Sequence, residues 1–381
     1  MSEPNLPGNP PAGSGPSRPR RDPAHLLISV IVAVLFIGVP VGAVQGLAPW
    51  MQSKSAALLP QPSSGLSSRP ANTSALDTGV VDINTQLGYL NAAGAGTGIV
   101  LSPSGEVLTN NHVISGATRI SVTDVGTGRR YPATVTGYDR SHDIALLQVH
   151  GASGLPTAPI GDSSTVSVGD KVAAVGNAGG LGGSPSIASG TVTALDRTIT
   201  ASDGRDGSIQ QLTGLIQIAA NVVPGDSGGP LVNTAGQVVG IDTAASTGFR
   251  LESAARGKGF AIPINDALAI TRQIEAGAGS ATVHIGPTGV LGILVQDTAR
   301  YGLAVSGATV AGVLPGLPGD QAELAAGDVI VAVDDTAVDS AASLTTVLNS
   351  HHPGDSVRLT WLDPSGQQHD ATVRLAAGPP N

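Results

Sequence analysis

From about Leu76 onward the chain is written as short apolar runs closed off by turn residues, and this spacing restricts its fold more than any other feature. Val80-Val81-Asp82-Ile83, Gly98-Ile99-Val100-Leu101, Ala145-Leu146-Leu147-Gln148-Val149, Val172-Ala173-Ala174-Val175 and Val238-Val239-Gly240-Ile241 are each of strand length and bounded by turn formers. Ser102-Pro103-Ser104-Gly105 and Asn233-Thr234-Ala235-Gly236 read as hairpin turns. No long amphipathic helix is expected before about Asn265. Many short strands at close spacing predict a closed barrel or a sandwich. Aromatic residues are only 2% of the chain, so Val, Ile, Leu and Ala must build the core, with 52 Gly supplying the turns.

Composition excludes several functions. The formal net charge is −9 and Lys and Arg form no extended cluster, so nucleic-acid binding, which needs grouped cations for phosphate, is not expected. With no cysteine, disulfides, thiolate zinc sites and cysteine nucleophiles are excluded together, and nothing else calls for a metal or cofactor. An exported domain with a large enough core needs no disulfides.

The first 75 residues divide into three. Residues 1–25 are rich in Pro, Gly and Ser, carry Arg18, Arg20 and Arg21, and are expected to be a disordered cytoplasmic tail. Residues 26–48 are almost wholly apolar, and as a helix would extend roughly 34 Å, enough for a hydrocarbon core. The arginines ahead of this transmembrane helix place its N-terminal end in the cytoplasm and the rest of the chain outside. The alternative is a signal peptide that is cleaved to give a secreted protein. The long tail before the span and the poor small-x-small sites at Gly42-Ala43-Val44 and Val44-Gln45-Gly46 count against it. Residues 49–75 form a Pro/Ser linker.

Three loops carry the chemistry. Gly225-Asp226-Ser227-Gly228-Gly229-Pro230 places a serine in a glycine-rich turn, where the amides of Gly225 and Ser227 can converge on one point. Such turns are common in a Gly-rich chain, and this loop alone does not separate an active site from an ordinary turn. Thr109-Asn110-Asn111-His112-Val113-Ile114 brings a histidine just after a strand. His142-Asp143-Ile144-Ala145-Leu146-Leu147 brings a carboxylate to the mouth of another. Alone, His112 could be an ordinary loop histidine and Asp143 a turn cap. Together the three follow the order His, Asp, Ser of chymotrypsin-type triads. His142 reads as an exposed neighbour rather than the base.

These loops, with Gly259-Phe260-Ala261-Ile262-Pro263, resemble the HtrA/Deg family of trypsin-like proteases, and Gly176-Asn177-Ala178-Gly179-Gly180 is similar to its actinobacterial members. The resemblance covers roughly residues 76–375. It implies a mainly β fold: a two-barrel chymotrypsin-like protease domain over 76–275 and an α+β PDZ domain over 285–376, preceded by the transmembrane helix. It implies a serine endopeptidase acting without ATP on unfolded or exported proteins, in protein quality control and stress response, as a homo-oligomer, usually a trimer. By position His112 is the general base, Asp143 orients it, Ser227 is the nucleophile, and the amides of Gly225 and Ser227 form the oxyanion hole.

The chain departs from the family at three places. Asp226 stands where many members have Asn, Ala219 where Asp is common, and the loop from Leu87 to Gly96 is short.

The PDZ likeness rests on Gly289-Val290-Leu291-Gly292-Ile293-Leu294-Val295, Gly312-Val313-Leu314-Pro315-Gly316, Ala326-Gly327-Asp328-Val329-Ile330-Val331-Ala332-Val333 and a helical stretch from Ser343 to Ser350. PDZ domains take up a peptide C-terminus as an added strand. The amides of Leu291, Gly292 and Ile293 would hold its carboxylate, and Leu291, Ile293, Leu344, Val347 and Leu348 would line the side-chain pocket or else serve as core. A chaperone or peptide sensor with little or no catalysis is the competing function.

Overall fold

The computed structural model describes residues 76–203, 209–243, 249–251, 257–297 and 305–380. The expected tail, membrane span and linker of residues 1–75 lie outside them. Among the described residues no helix is long and apolar enough to cross a membrane.

The short apolar runs become strands as their spacing predicts. β1 (Val80–Leu87), β2 (Ala92–Val100), β3 (Glu106–Thr109), β4 (Arg119–Asp124), β5 (Arg130–Asp139) and β6 (Ile144–Val149) form one antiparallel sheet. Its order is β5-β4-β1-β2-β3-β6, and pairing of β5 with β6 closes it into a barrel. β1 and β2 are joined by a tight connection, with Leu87 opposite Ala92, in keeping with the short loop there. β7 (Lys171–Gly176), β8 (Ser186–Asp203), β9 (Ile209–Ile218), β10 (Pro230–Asn233), β11 (Val238–Thr243) and β13 (Gly259–Pro263) close a second barrel, with β12 (Phe249–Leu251) added to β8. Closure removes sheet edges and lets aliphatic side chains fill each interior. Ile83, Val107 and Leu147 pack inside the first barrel and Ile216, Ile218 and Leu231 inside the second.

α1 (Asn111–Ile114) is a single buried turn after β3. α2 (Ile264–Glu275) follows β13 and buries Ile264, Ala267, Ile270 and Ile274 against both barrels. Beyond it, β14 (Val283–Ile285) pairs with β5 of the first barrel. β15 (Thr288–Val290) pairs with β22 (Ala376–Gly378).

The remaining C-terminal part is a separate small sheet. β16 (Ile293–Asp297), β17 (Ala308–Val313), β18 (Val329–Val333), β20 (Ser356–Leu362) and β21 (Gln368–Arg374) lie in that order, with β19 (Thr336–Ala337) on β18. α3 (Pro318–Gln321) is one turn, and α4 (Ala341–Leu348) is capped at Ser340 by a reciprocal pair with Ser343. β16 is an edge strand, and the Asp297 carboxylate at its end accepts the Ala341 amide of α4 at 2.8 Å.

Candidate active site

β3 and β6 are antiparallel neighbours with Thr109 opposite Ala145. The segment leaving β3 therefore emerges beside the segment entering β6, and His112 meets Asp143 although they lie far apart in sequence. His112 Nδ1 is 2.8 Å from Asp143 Oδ2, and the His112 amide donates to Asp143 Oδ1 at 2.9 Å. Both residues are buried. Asp143 has φ of 56°, a left-handed conformation uncommon for a residue with a side chain. It is held there because Asn110 Nδ2 donates to the Asp143 carbonyl at 2.9 Å. Thr243 at the end of β11 donates its hydroxyl to Asp143 Oδ2 at 3.2 Å, so the second barrel also orients this carboxylate. His142 turns away, its side chain 56% exposed and Nδ1 2.8 Å from Asp139 Oδ2. That carboxylate raises the His142 pKa against the effect of burial.

The serine loop leads into β10 and lies against the end of β11. The Gly228 amide donates to the Asp242 carbonyl at 2.9 Å and the Asp242 amide to that of Gly229 at 2.8 Å. Each carbonyl of the turn has a donor: Pro224 from Gly179 N at 2.7 Å, Asp226 from Gly229 N at 2.9 Å, Ser227 from Thr97 N at 2.8 Å and Gly225 from Thr97 Oγ1 at 2.7 Å. In a trans peptide the N–H points opposite to the C=O. Holding the Pro224 and Asp226 carbonyls thus turns the Gly225 and Ser227 amides the other way. Gly225 has φ of 101°, and a Cβ there would lie 2.1 Å from the Asn177 carbonyl oxygen, so only glycine fits. A cleft of about 390 Å³ runs past this turn and is lined by His112, Val113, Gly180, Pro224 and Gly225.

Asp226 points away from the cleft. Its Oδ2 accepts the Val223 amide at 3.0 Å and its Oδ1 lies 2.8 Å from the Ser186 hydroxyl. Burial raises its pKa against those bonds. Asp242 is fully buried, and its pKa stands well above the usual carboxylate range because of burial first and the nearby Asp226 charge second.

In the C-terminal sheet, Leu291, Leu344 and Leu348 are core residues with 2%, 1% and 9% exposure. Ile293 and Val347 are half-buried, so of the five expected pocket residues these two keep exposed surface. The Leu291 carbonyl accepts from Gly319 N at 2.7 Å and that of Gly292 from Leu314 N at 2.9 Å. The Gly292 and Ile293 amides therefore face away from those partners.

Sequence reasoning missed Thr97, Ser186 and Thr243. Each is a hydroxyl residue within a strand, where it resembles an ordinary β-former. The signal that could have found them is their adjacency to motifs: Thr243 lies just past the Val238–Ile241 run, and Thr97 precedes Gly98.

Residues 96–241 match the model of the trypsin-like peptidase domain and residues 289–373 that of the PDZ domain. The serine protease Do-like HtrA of Lactococcus lactis subsp. lactis is 34% identical over 298 residues, covering 75% of this chain and 72% of its own length. The serine protease PepD of Mycobacterium tuberculosis is 34% identical, covering 78% of this chain and 63% of its own length. The periplasmic pH-dependent serine endoprotease DegQ of Escherichia coli is 37% identical, covering 71% and 56%. The chain thus spans little more than half to nearly three quarters of the length of these relatives. Among solved structures, the HtrA-type protease AlgW with a tripeptide is 29% identical, with a TM-score of 0.47 over 82% of this chain and 98% of that one. This chain belongs to the HtrA family of trypsin-like serine proteases, with a PDZ domain after its catalytic one.

Proposed function

We propose that this protein is an endopeptidase cleaving unfolded or exported polypeptides outside the cytoplasm, with Ser227 as nucleophile, His112 as general base and Asp143 as the group that orients it. The observation carrying this reading is the buried His112–Asp143 pair at 2.8 Å, beside the cleft that Gly225 also lines. With its Nδ1 proton committed to Asp143, the imidazole is fixed in the tautomer whose Nε2 can accept a proton. His112 takes the Ser227 hydroxyl proton as Oγ bonds to the scissile carbonyl carbon. The carbonyl oxygen becomes an oxyanion held by the Gly225 and Ser227 amides. His112 then protonates the leaving amine, and water, deprotonated by the same imidazole, releases the acyl group.

The PDZ domain serves peptide C-termini in this reading. β16 is a sheet edge beside α4, with the Gly292 and Ile293 amides facing away from Gly319 and Leu314, a direction that strand addition and carboxylate capture can use. The periplasmic location in the E. coli relative's name supports an extracytoplasmic site of action. Residues 26–48 would anchor the chain, and the protein would work as a homo-oligomer, for which a trimer is the arrangement proposed.

The test is digestion of unfolded casein by the full-length protein and by Ser227→Ala. Loss of cleavage by several orders of magnitude in the variant is expected. Persistence of cleavage would overturn Ser227 as the nucleophile, and a parent protein that binds casein without cutting it would return the reading to a chaperone.

A further inference from the structure

Thr97 lies in β2 of the first barrel, is fully buried, and belongs to neither the triad nor the serine loop. It is nevertheless bound to that loop twice. Its amide donates to the Ser227 carbonyl at 2.8 Å, and its hydroxyl donates to the Gly225 carbonyl at 2.7 Å. The same hydroxyl accepts the Asn177 amide at 2.9 Å. Its carbonyl accepts the Thr109 hydroxyl at 2.7 Å, three residues before His112.

The geometry of peptide planes gives this arrangement a consequence. An N–H lies in the plane of its own peptide, and the residue that carries it stays in place only when the following peptide is held as well. On the N-terminal side, Gly179 holds the Pro224 peptide and Gly229 the Asp226 peptide. On the C-terminal side, both the Gly225 and the Ser227 peptides are held by Thr97. One residue of the first barrel thus fixes the same side of both proposed oxyanion donors. Its backbone does so for Ser227, which any residue could match. Its hydroxyl does so for Gly225, which only a hydroxyl side chain can match, because the group must donate to one partner while accepting from another.

We propose that Thr97 is a positioning residue for the oxyanion hole, its hydroxyl holding the Gly225 amide in the orientation that receives the oxyanion. The inference rests on the triad and oxyanion roles proposed above. Thr97 touches no substrate, so its loss should appear in transition-state stabilisation and not in substrate affinity.

Thr97→Val keeps the shape and removes the hydroxyl; Thr97→Ser keeps the hydroxyl. The full-length variants are compared with the parent and with Ser227→Ala in casein cleavage and in the rate of Ser227 phosphonylation by a fluorophosphonate, which also builds negative charge on an oxygen in the hole. Thr97→Val is expected to lower kcat about 10- to 100-fold with KM little changed, and to slow phosphonylation by a similar factor. The inflection of the pH–rate profile should stay in place, because His112 and Asp143 are untouched. Thr97→Ser is expected to stay within about threefold of the parent in both rates. If Thr97→Val does not fold, Thr97→Cys, whose thiol is a weak donor, carries the same expectations. A hydroxyl-free variant with the parent's kcat, one altered in KM alone, or one with normal phosphonylation overturns the inference while leaving the triad intact. Cleavage retained by Ser227→Ala overturns both the triad and this inference.

Discussion

The Ser186 hydroxyl lies 2.8 Å from Asp226 Oδ1 and 2.9 Å from the Gly176 carbonyl oxygen, so one proton faces two acceptors. An ionised Asp226 leaves one of those contacts without a hydrogen. A protonated Asp226 completes the chain, donating to the Ser186 oxygen while Ser186 donates to Gly176. Burial pushes the Asp226 pKa in the direction this arrangement needs. Sequence reasoning expects a local backbone amide or side-chain donor to hold this aspartate, with no freed N-terminus; the Val223 amide is the backbone donor, and Ser186 is the side-chain partner.

Asp226→Asn should therefore be mild. The amide Nδ2 can replace the acid proton toward Ser186, and Oδ1 can accept from Val223. Activity on casein is expected within about tenfold of the parent, or ~1.4 kcal/mol in the barrier. Abolished activity, together with a parent protein that gains activity on cleavage between residues 49 and 85, would make Asp226 a zymogen switch.

Asp242 gives a prediction for stability against pH. Its folded pKa is raised well above the ordinary value of 3.8, by burial first and, wherever Asp226 is ionised, by that charge as well. A group with a raised folded pKa contributes stability that is full below its unfolded pKa and lost as pH rises toward the folded one. The parent protein should lose stability relative to Asp242→Asn as pH rises above the ordinary carboxylate value of 3.8. The expected readout is a melting-temperature difference that moves in the variant's favour with pH, by about 2–4 °C for each kcal/mol. Parallel pH profiles for the two proteins would show that Asp242 is not held protonated.

The Asp143 carboxylate and its Thr243 partner should differ sharply in effect. Asp143→Asn presents an amide to His112 Nδ1 and favours the wrong tautomer, so kcat should fall about 10⁴-fold, as for the equivalent change in the well-studied serine protease triad. Thr243→Val removes only the 3.2 Å hydroxyl bond, while His112 continues to bind both carboxylate oxygens. A loss of less than about tenfold is expected. Steady-state kinetics on one substrate orders the two; comparable losses would assign Thr243 a larger share in orienting the triad than its bond suggests.

Legibility in the sequence depends on where the information resides. Val80–Ile83 and Val172–Val175 announce strands because apolar runs and turns are local signals. The His112, Asp143 and Ser227 loops stand out because each carries a rare combination in a short window. Thr97 does not, since its bond to Gly225 spans 128 positions and a threonine in a strand needs no special explanation. Leu291, Leu344 and Leu348 show the opposite limit. Apolar residues at helix and strand spacing suit a groove or a core equally, and only packing can separate them; in the fold all three are buried in the domain core.

That separation also decides how the peptide groove should be tested. Gly292, from sequence alone the obvious position to obstruct, has φ of 73°, and a Cβ there would lie 2.3 Å from Leu317 Cβ. Gly292→Glu should therefore strain the backbone and push on Leu317, unsettling the PDZ domain itself, so lost binding would not report on the groove. Val347 is the better probe. It is half-buried on α4, in regular helix, and keeps surface that a side chain can extend from. Val347→Glu places a negative charge beside the path proposed for a peptide carboxylate. In full-length protein carrying Ser227→Ala to prevent cleavage, binding of a labelled peptide with an apolar C-terminus should weaken at least about tenfold, or ~1.4 kcal/mol, by fluorescence anisotropy. The melting temperature should stay near that of the Ser227→Ala parent, whereas Gly292→Glu lowers it. Unchanged peptide affinity in a folded Val347→Glu protein would remove the space between β16 and α4 as the binding groove.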